Sequence, residues 1–195
     1  SGIGDSAFYR DYNMRAPHNA FASKSGLKKA AKELGYRLKY EKDYKDHFSF
    51  HETDTVPEKG KTANRVDVVY SAAATPYFIY DDSDGLYYRY QFGDKHIDIT
   101  TKEQLSFKNV IIMYVEQWNI DNNGYQTMKI EEATGTGHYI TNGKAVDITW
   151  EKSESARSCT FYHGKEELVL NPGKTFICVV PDRSDSSVTF HKKKK

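Results

Sequence analysis

The chain has 195 residues, with 28 Lys and Arg against 27 Asp and Glu, a formal net charge of +1. A near-neutral chain lacks the field that coats nucleic acid or an anionic membrane non-specifically, and no stretch approaches the run of about 20 apolar residues that a membrane helix needs. The length suits one ordinary domain, or one domain with a docked segment, and can bury a core without metal or disulfide support.

Residues 1–25 are polar and irregular. Ser1-Gly2 reads as a pair left by tag removal, so any targeting segment is expected upstream. Pro17 biases Ala16 away from helix. A helix is predicted over 25–35, capped by Ser25 and closed by Gly35, with Leu27, Ala30, Ala31 and Leu34 on one face. Residues 36–60 are charged, with a short strand-like piece at His47–Phe50.

From Asn64 the period changes to two. Val66–Tyr70, Tyr77–Tyr80 and Leu86–Phe92 read as strands, the last two joined as a hairpin by Asp82-Ser83-Asp84-Gly85. Gly93-Asp94-Lys95 turns the chain into His96–Ile99. Val110–Val115 is the longest apolar run and is expected to be a central strand buried on both faces. Further strands are expected at Tyr125–Ile130, His138–Ile140, Ala145–Trp150, Ser158–Tyr162, Thr175–Val180 and Val188–Phe190. Asn142-Gly143, His163-Gly164 and Asn171-Pro172-Gly173 punctuate them. The predicted fold is mainly β, an antiparallel meander or sandwich with one N-terminal helix. The terminal Lys192–Lys195 is expected to be a disordered basic tail.

The only cysteines, Cys159 and Cys178, fall in strand patterns, and two alternatives stay open: a disulfide between them, or two free buried thiols. The seven histidines show no metal-ligand spacing, so no metal or cofactor is assigned. There is no Gly-x-Ser-x-Gly elbow. Asp98, Glu116 and Asp147 lie on or beside strands, where a pair of carboxylates could serve glycoside hydrolysis. Gly135-x-Gly137 precedes a strand rather than a helix, so its glycines read as a bend, a bulge or a close approach rather than a phosphate cradle. The densest polar chemistry is Tyr88-Arg89 and His96-x-Asp98. His96 and Asp98 are two apart, so on one strand they share a face. With His138 these form the candidate binding group Tyr88, Arg89, His96, Asp98 and His138. In an enzyme, His96 and Asp98 would be orienter and base.

Several motifs stand in order along the chain: Phe8-Tyr9-Arg10-Asp11, Ala16-Pro17-His18-Asn19, Tyr88-x3-Phe92-Gly93-x2-His96-x-Asp98 and Asn109-Val110-Ile111. Gly135-x-Gly137, Asn142-Gly143-Lys144, Thr149-Trp150-x-Lys152 and Leu170-Asn171-Pro172-Gly173-Lys174-Thr175 follow. In this order and spacing they resemble the YerB-like lipoproteins of Gram-positive bacteria. The resemblance implies a secreted, lipid-anchored surface protein of uncharacterised role. It also implies that residues 1–50 are the tail of a larger N-terminal domain, with the signal peptide and lipid-bearing cysteine upstream. Residues 51–191 then form the β-rich domain. The family supplies no catalytic residues. The expected function is a binding or interaction module for a cell-envelope component or a protein partner, with no nucleic acid, and with membrane contact only through the upstream anchor. A hydrolase of cell-wall glycan or peptide and a purely structural spacer are the alternatives.

Overall fold

The computed structural model describes residues 7–44, 46–153, 158–183 and 186–193. The chain divides into two compact units, Ser1–Asp46 and His47–Lys195. Ser1-Gly2 and the last two lysines of the basic tail lie outside the described residues; Lys192 and Lys193 are exposed.

In the first unit β1 (Phe8–Arg10) pairs antiparallel with β2 (Ala20–Ala22), and α1 (Lys24–Glu33) follows. The expected cap moves by two residues. Ser23, with extended backbone, accepts the Gly26 amide at 3.0 Å, whereas Ser25 lies inside the first turn. The N-cap must be non-helical so that its oxygen reaches an amide two or three residues on. Gly35, at φ 70°, closes the helix, with Tyr36 N–H on the Ala31 carbonyl and Gly35 N–H on the Lys32 carbonyl. That is the Schellman pairing. Of the predicted apolar stripe Ala30 is buried, while Leu27 and Leu34 are exposed.

The second unit is built on two sheets. One contains β5 (Arg65–Val69), β6 (Tyr77–Asp81), β7 (Leu86–Gln91), β8 (Asp94–Lys95), β9 (Ser106–Phe107) and β19 (Ser187–His191), in the order β19-β5-β6-β7-β8 with β9 on β7. The other contains β4 (Lys61–Thr62), β10 (Asn109–Val115), β13 (Ala133–Thr141), β14 (Lys144–Lys152), β15 (Thr160–His163), β16 (Glu166–Glu167) and β18 (Thr175–Pro181). Its order is β16-β15-β14-β13-β10-β18, with β4 on β14. Small pairs complete the unit: β3 (Ser49–Phe50) with β17 (Val169–Leu170), and β11 (Gln117–Asn119) with β12 (Gln126–Met128). The pairings are antiparallel except β10 with β18 and β3 with β17.

Strand β10 is buried on both faces, as its unbroken apolar run requires. Val110 and Ile112 join Val66, Val68, Phe78, Tyr87, Ile140 and Cys178 in a core between the two sheets. Ile111, Met113 and Val115 face the other way, into a second core with Tyr139, Ile148, Trp150, Phe161 and Leu170. Both cysteines are free thiols. Asn142 and Gly143 take φ 48° and 71° between β13 and β14, the two-residue hairpin geometry that Asn-Gly favours. The Gly135-x-Gly137 pattern is a close approach. A Cβ at Gly137 would stand 2.0 Å from the Ile112 carbonyl oxygen, and one at Gly135 2.5 Å from Trp150 Nε1.

Candidate functional site

The alternation of β7 sends Tyr88 and Arg89 to opposite faces of the sheet. Arg89 is buried, and its backbone is held by Leu105 and His96. Its guanidinium donates to Gln91 Oε1 at 2.7 Å and meets His96 Nδ1, with the Phe176 ring centroid 5.2 Å from Cζ. Nε is buried without a partner. Burial pulls the group below its ordinary pKa, and the nearby Cys178 and Tyr70 act the other way. For Nδ1 of His96 to accept from Arg89 the imidazole must be neutral. Burial and the Arg89 charge both hold its pKa down.

Asp98 is elsewhere. The segment 96–98 is not a regular strand but one arm of an irregular hairpin, with Ile97 bridged to Gln104. The Asp98 carboxylate turns back on its own chain and accepts the amides of Thr101 at 2.7 Å and Thr100 at 2.9 Å, which lower its pKa. It is a turn former, and the expected His96–Asp98 base pair is not assembled. The Tyr88 hydroxyl donates to Asp84 at 2.6 Å.

His138 belongs to the other sheet, directly opposite Asp147 in the β13–β14 register. Nδ1 lies 2.9 Å from Asp147 Oδ1, and Lys61 Nζ lies 3.6 Å from that same oxygen. The rings of Tyr114 and Phe190 stand perpendicular to the imidazole, their centroids 5.7 and 5.0 Å away. Burial lowers the His138 pKa, and the Asp147 charge opposes that. A groove of about 450 Å³ opens here, lined by Lys61, Tyr114, Thr136, His138, Asp147 and Thr149. The partners of Arg89 are His96, Gln91 and Phe176, whereas those of His138 are Asp147, Tyr114 and Phe190. The five predicted residues therefore fall into four environments: Arg89 with His96, Tyr88 on the outer face, Asp98 in its turn, and His138 in the groove. Glu116, the third carboxylate considered, is exposed between β10 and β11, and only Asp147 reaches the groove. Neither thiol is poised for attack. Burial pushes Cys178 up to about 11 and raises Cys159 as well.

The most heavily bonded polar cluster was not singled out by the sequence. Lys108 is the one residue between β9 and β10, where the chain crosses from one sheet to the other. Its ammonium is buried and donates to Asp54 Oδ2 at 2.5 Å, Asn142 Oδ1 at 2.6 Å and the Gly85 carbonyl at 3.3 Å. All three protons are thereby used. Asn142 Nδ2 in turn donates to Asp54 Oδ1 at 3.0 Å and the Thr55 carbonyl at 2.7 Å. Alongside, Asn171, which is fully buried, joins Thr55, Thr141 and Tyr139. Asn109, equally buried, donates to the Asn171 carbonyl and accepts from Tyr139. Asn109, Asn142 and Asn171 stand at or next to the start of Asn109-Val110-Ile111, Asn142-Gly143-Lys144 and Leu170-Asn171-Pro172, three segments far apart in sequence that the fold brings together. Asp54 is held below the ordinary carboxylate value by Lys108 and Asn142, against a desolvation that acts upward.

A family model described as "Protein of unknown function (DUF3048) C-terminal domain" matches residues 66–177. The chain belongs to this family. The DUF3048 match takes in Arg89, His96, Lys108, His138, Asn142 and Asn171, and leaves α1 and Asp54 outside it. The chain is also 29% identical over 185 residues to "Putative lipoprotein YerB" of Bacillus subtilis (strain 168). That alignment covers 94% of the chain and 54% of YerB, so the chain spans about half the length of this curated relative. The crystal structure of YerB protein from Bacillus subtilis matches with a TM-score of 0.76 at 25% identity, over 94% of this chain and 59% of that one. The β-rich fold and the family read from the ordered motifs are both shown by these matches.

Proposed function

We infer that this chain is part of an extracytoplasmic, membrane-anchored lipoprotein and serves as an interaction module, contacting a cell-envelope partner through the β11–β12 ribbon. The relatedness to a lipoprotein supports the location. One observation carries the interaction reading. Trp118 stands opposite Thr127, and Ile120 N–H bonds the Tyr125 carbonyl, so Trp118, Ile120 and Tyr125 share one face of a two-stranded ribbon. They are 44%, 62% and 66% exposed. Large aromatic side chains grouped on an open face supply contact area with few rotamers to freeze, which is why interfaces are enriched in them. The test is binding of the full-length protein to isolated cell envelopes. Trp118→Ser with Tyr125→Ser is expected to weaken retention at least about tenfold while leaving the melting temperature unchanged. Undiminished retention would refute the reading.

A hydrolase reading has one foothold, the His138–Asp147 pair in its groove. It requires His138→Ala to abolish release of soluble fragments from purified cell wall by the wild-type protein.

A further inference from the structure

We propose that Lys108 and Asn142 are the two halves of an intramolecular isopeptide cross-link, with Asp54 as the proton carrier between them. The juxtaposition is a closed triangle. The Lys108 nitrogen is 2.6 Å from Asn142 Oδ1 and 2.5 Å from Asp54 Oδ2, while Asp54 Oδ1 is 3.0 Å from the Asn142 nitrogen that would leave. A surface salt bridge does not look like this. The lysine is buried where the chain passes from one sheet to the other, and the carboxamide is pinned at both ends. Gly85 lies directly over the pair: a Cβ there would meet Lys108 Nζ at 3.0 Å and Asn142 Oδ1 at 3.6 Å. The absent side chain leaves the nitrogen room to move onto the carboxamide carbon.

The chemistry balances without an outside reagent. Lys108 passes a proton to Asp54 Oδ2 and becomes a neutral amine. Its lone pair attacks Asn142 Cγ, forming the new C–N bond and placing negative charge on Oδ1. The C–Nδ2 bond breaks as Asp54 gives that proton to the departing nitrogen, and the carbonyl re-forms. The Asp54 carboxylate so restored takes the second Nζ proton and hands it to the ammonia. The products are one amide and one ammonium, which carries away both protons lost by Nζ. No group is oxidised or reduced. The remaining amide N–H keeps Asp54 as its acceptor. A cleft of about 330 Å³, lined by Asp54, Asp84, Ser106, Lys108 and Lys174, gives the ammonia a way out.

The resting ion pair opposes the first step, since Asp54 prefers to be ionised. The reaction therefore proceeds slowly, but it has to happen only once in each molecule. Once the nitrogen moves onto the carboxamide carbon, such an intramolecular pair reaches effective concentrations of about 10⁵ M or more.

Mass measurement of the denatured chain, followed by proteolysis, tests the proposal. The wild type is expected to be lighter than its sequence by one ammonia and to yield a branched peptide joining Lys108 to Asn142. Asp54→Asn, at a half-exposed position, is expected to keep the far-ultraviolet spectrum of the wild type and to slow bond formation on the order of a hundredfold. A wild type at full sequence mass overturns the proposal and leaves a plain ion-pair clamp. Ammonia loss with linear peptides alone also overturns it, because Asn142 has then closed on the Gly143 nitrogen. A branched peptide formed at the wild-type rate in Asp54→Asn overturns the role of Asp54.

Discussion

Before any cross-link forms, Lys108 and Arg89 are both cations buried in the same unit, and their surroundings differ in kind. Lys108 has a carboxylate, a carboxamide oxygen and a backbone carbonyl, one for each of its protons. Arg89 has a histidine nitrogen, a glutamine oxygen and an aromatic face, with no carboxylate bonded to it and no partner for its Nε among the described residues. Taking a charge out of water is costly, and only a partner of opposite charge with good hydrogen bonds offsets much of that cost. Lys108 therefore reads as a junction that holds the crossing between sheets. Arg89 is tolerated against its desolvation, the pattern expected of a group retained for something other than stability.

Removing the partnered cation is expected to have the largest effect. Lys108→Met strands Asn142 and Asp54, and a loss of roughly 3 kcal/mol is expected in urea titrations against wild type taken before the cross-link forms. A loss under about 1 kcal/mol would place Lys108 with ordinary surface pairs and break the comparison. Gly137→Ala sets the scale for a fault of packing alone. Its new methyl meets the Ile112 carbonyl, and about 2 kcal/mol should be lost by the same measurement. Arg89→Met should go the other way, neutral or stabilising by about 1 kcal/mol, because an apolar side chain of similar length replaces an under-partnered charge. A clear destabilisation would show that the Phe176 and His96 contacts suffice to stabilise the guanidinium.

The pH profile separates the two neighbourhoods with the smallest signals. His96 and His138 have pKa values below the ordinary 6.5, so the native state binds fewer protons than the unfolded chain. Stability should fall as pH drops through 6.5, and the fall is complete once the folded values are passed. In a His138→Asn background, His96→Asn should reduce the slope in that window further. Asp54 acts lower. Its depressed pKa stabilises the fold above the ordinary carboxylate value of 3.8 and loses that contribution as pH falls toward the folded value. Asp98 titrates in the same acid window, so the Asp54 share is the difference between wild type and Asp54→Asn, both taken before the cross-link forms.

Local chemistry made much of the fold legible. The two-residue period marked the strands, Asn-Gly and Asp-Gly marked turns, and an unbroken apolar run marked β10 as buried on both faces. The helix cap was misplaced by two because Ser23 and Ser25 are both competent caps in sequence, and only the backbone decides which is non-helical. The site was less legible. Arg89 and His96 do meet, as their nearness across one turn suggested, but Asp98 is drawn off by two amides of its own loop. Nothing in spacing alone announces that competition.

What the sequence determined by itself was the class of fold, the family and the positions of most turns; the turn expected at Gly93-Asp94-Lys95 lies at Phe92-Gly93, with Asp94–Lys95 in β8. Those depend on side-chain period and on backbone preferences a few residues long. The tertiary structure decided which polar groups share a place. The parallel pairing of β10 with β18 joins segments 66 residues apart in register, and the crossing at Lys108 carries it to Asp54 and Asn142. Such contacts are set by long-range register and by the desolvation that burial imposes, and neither is written in any local stretch of the chain.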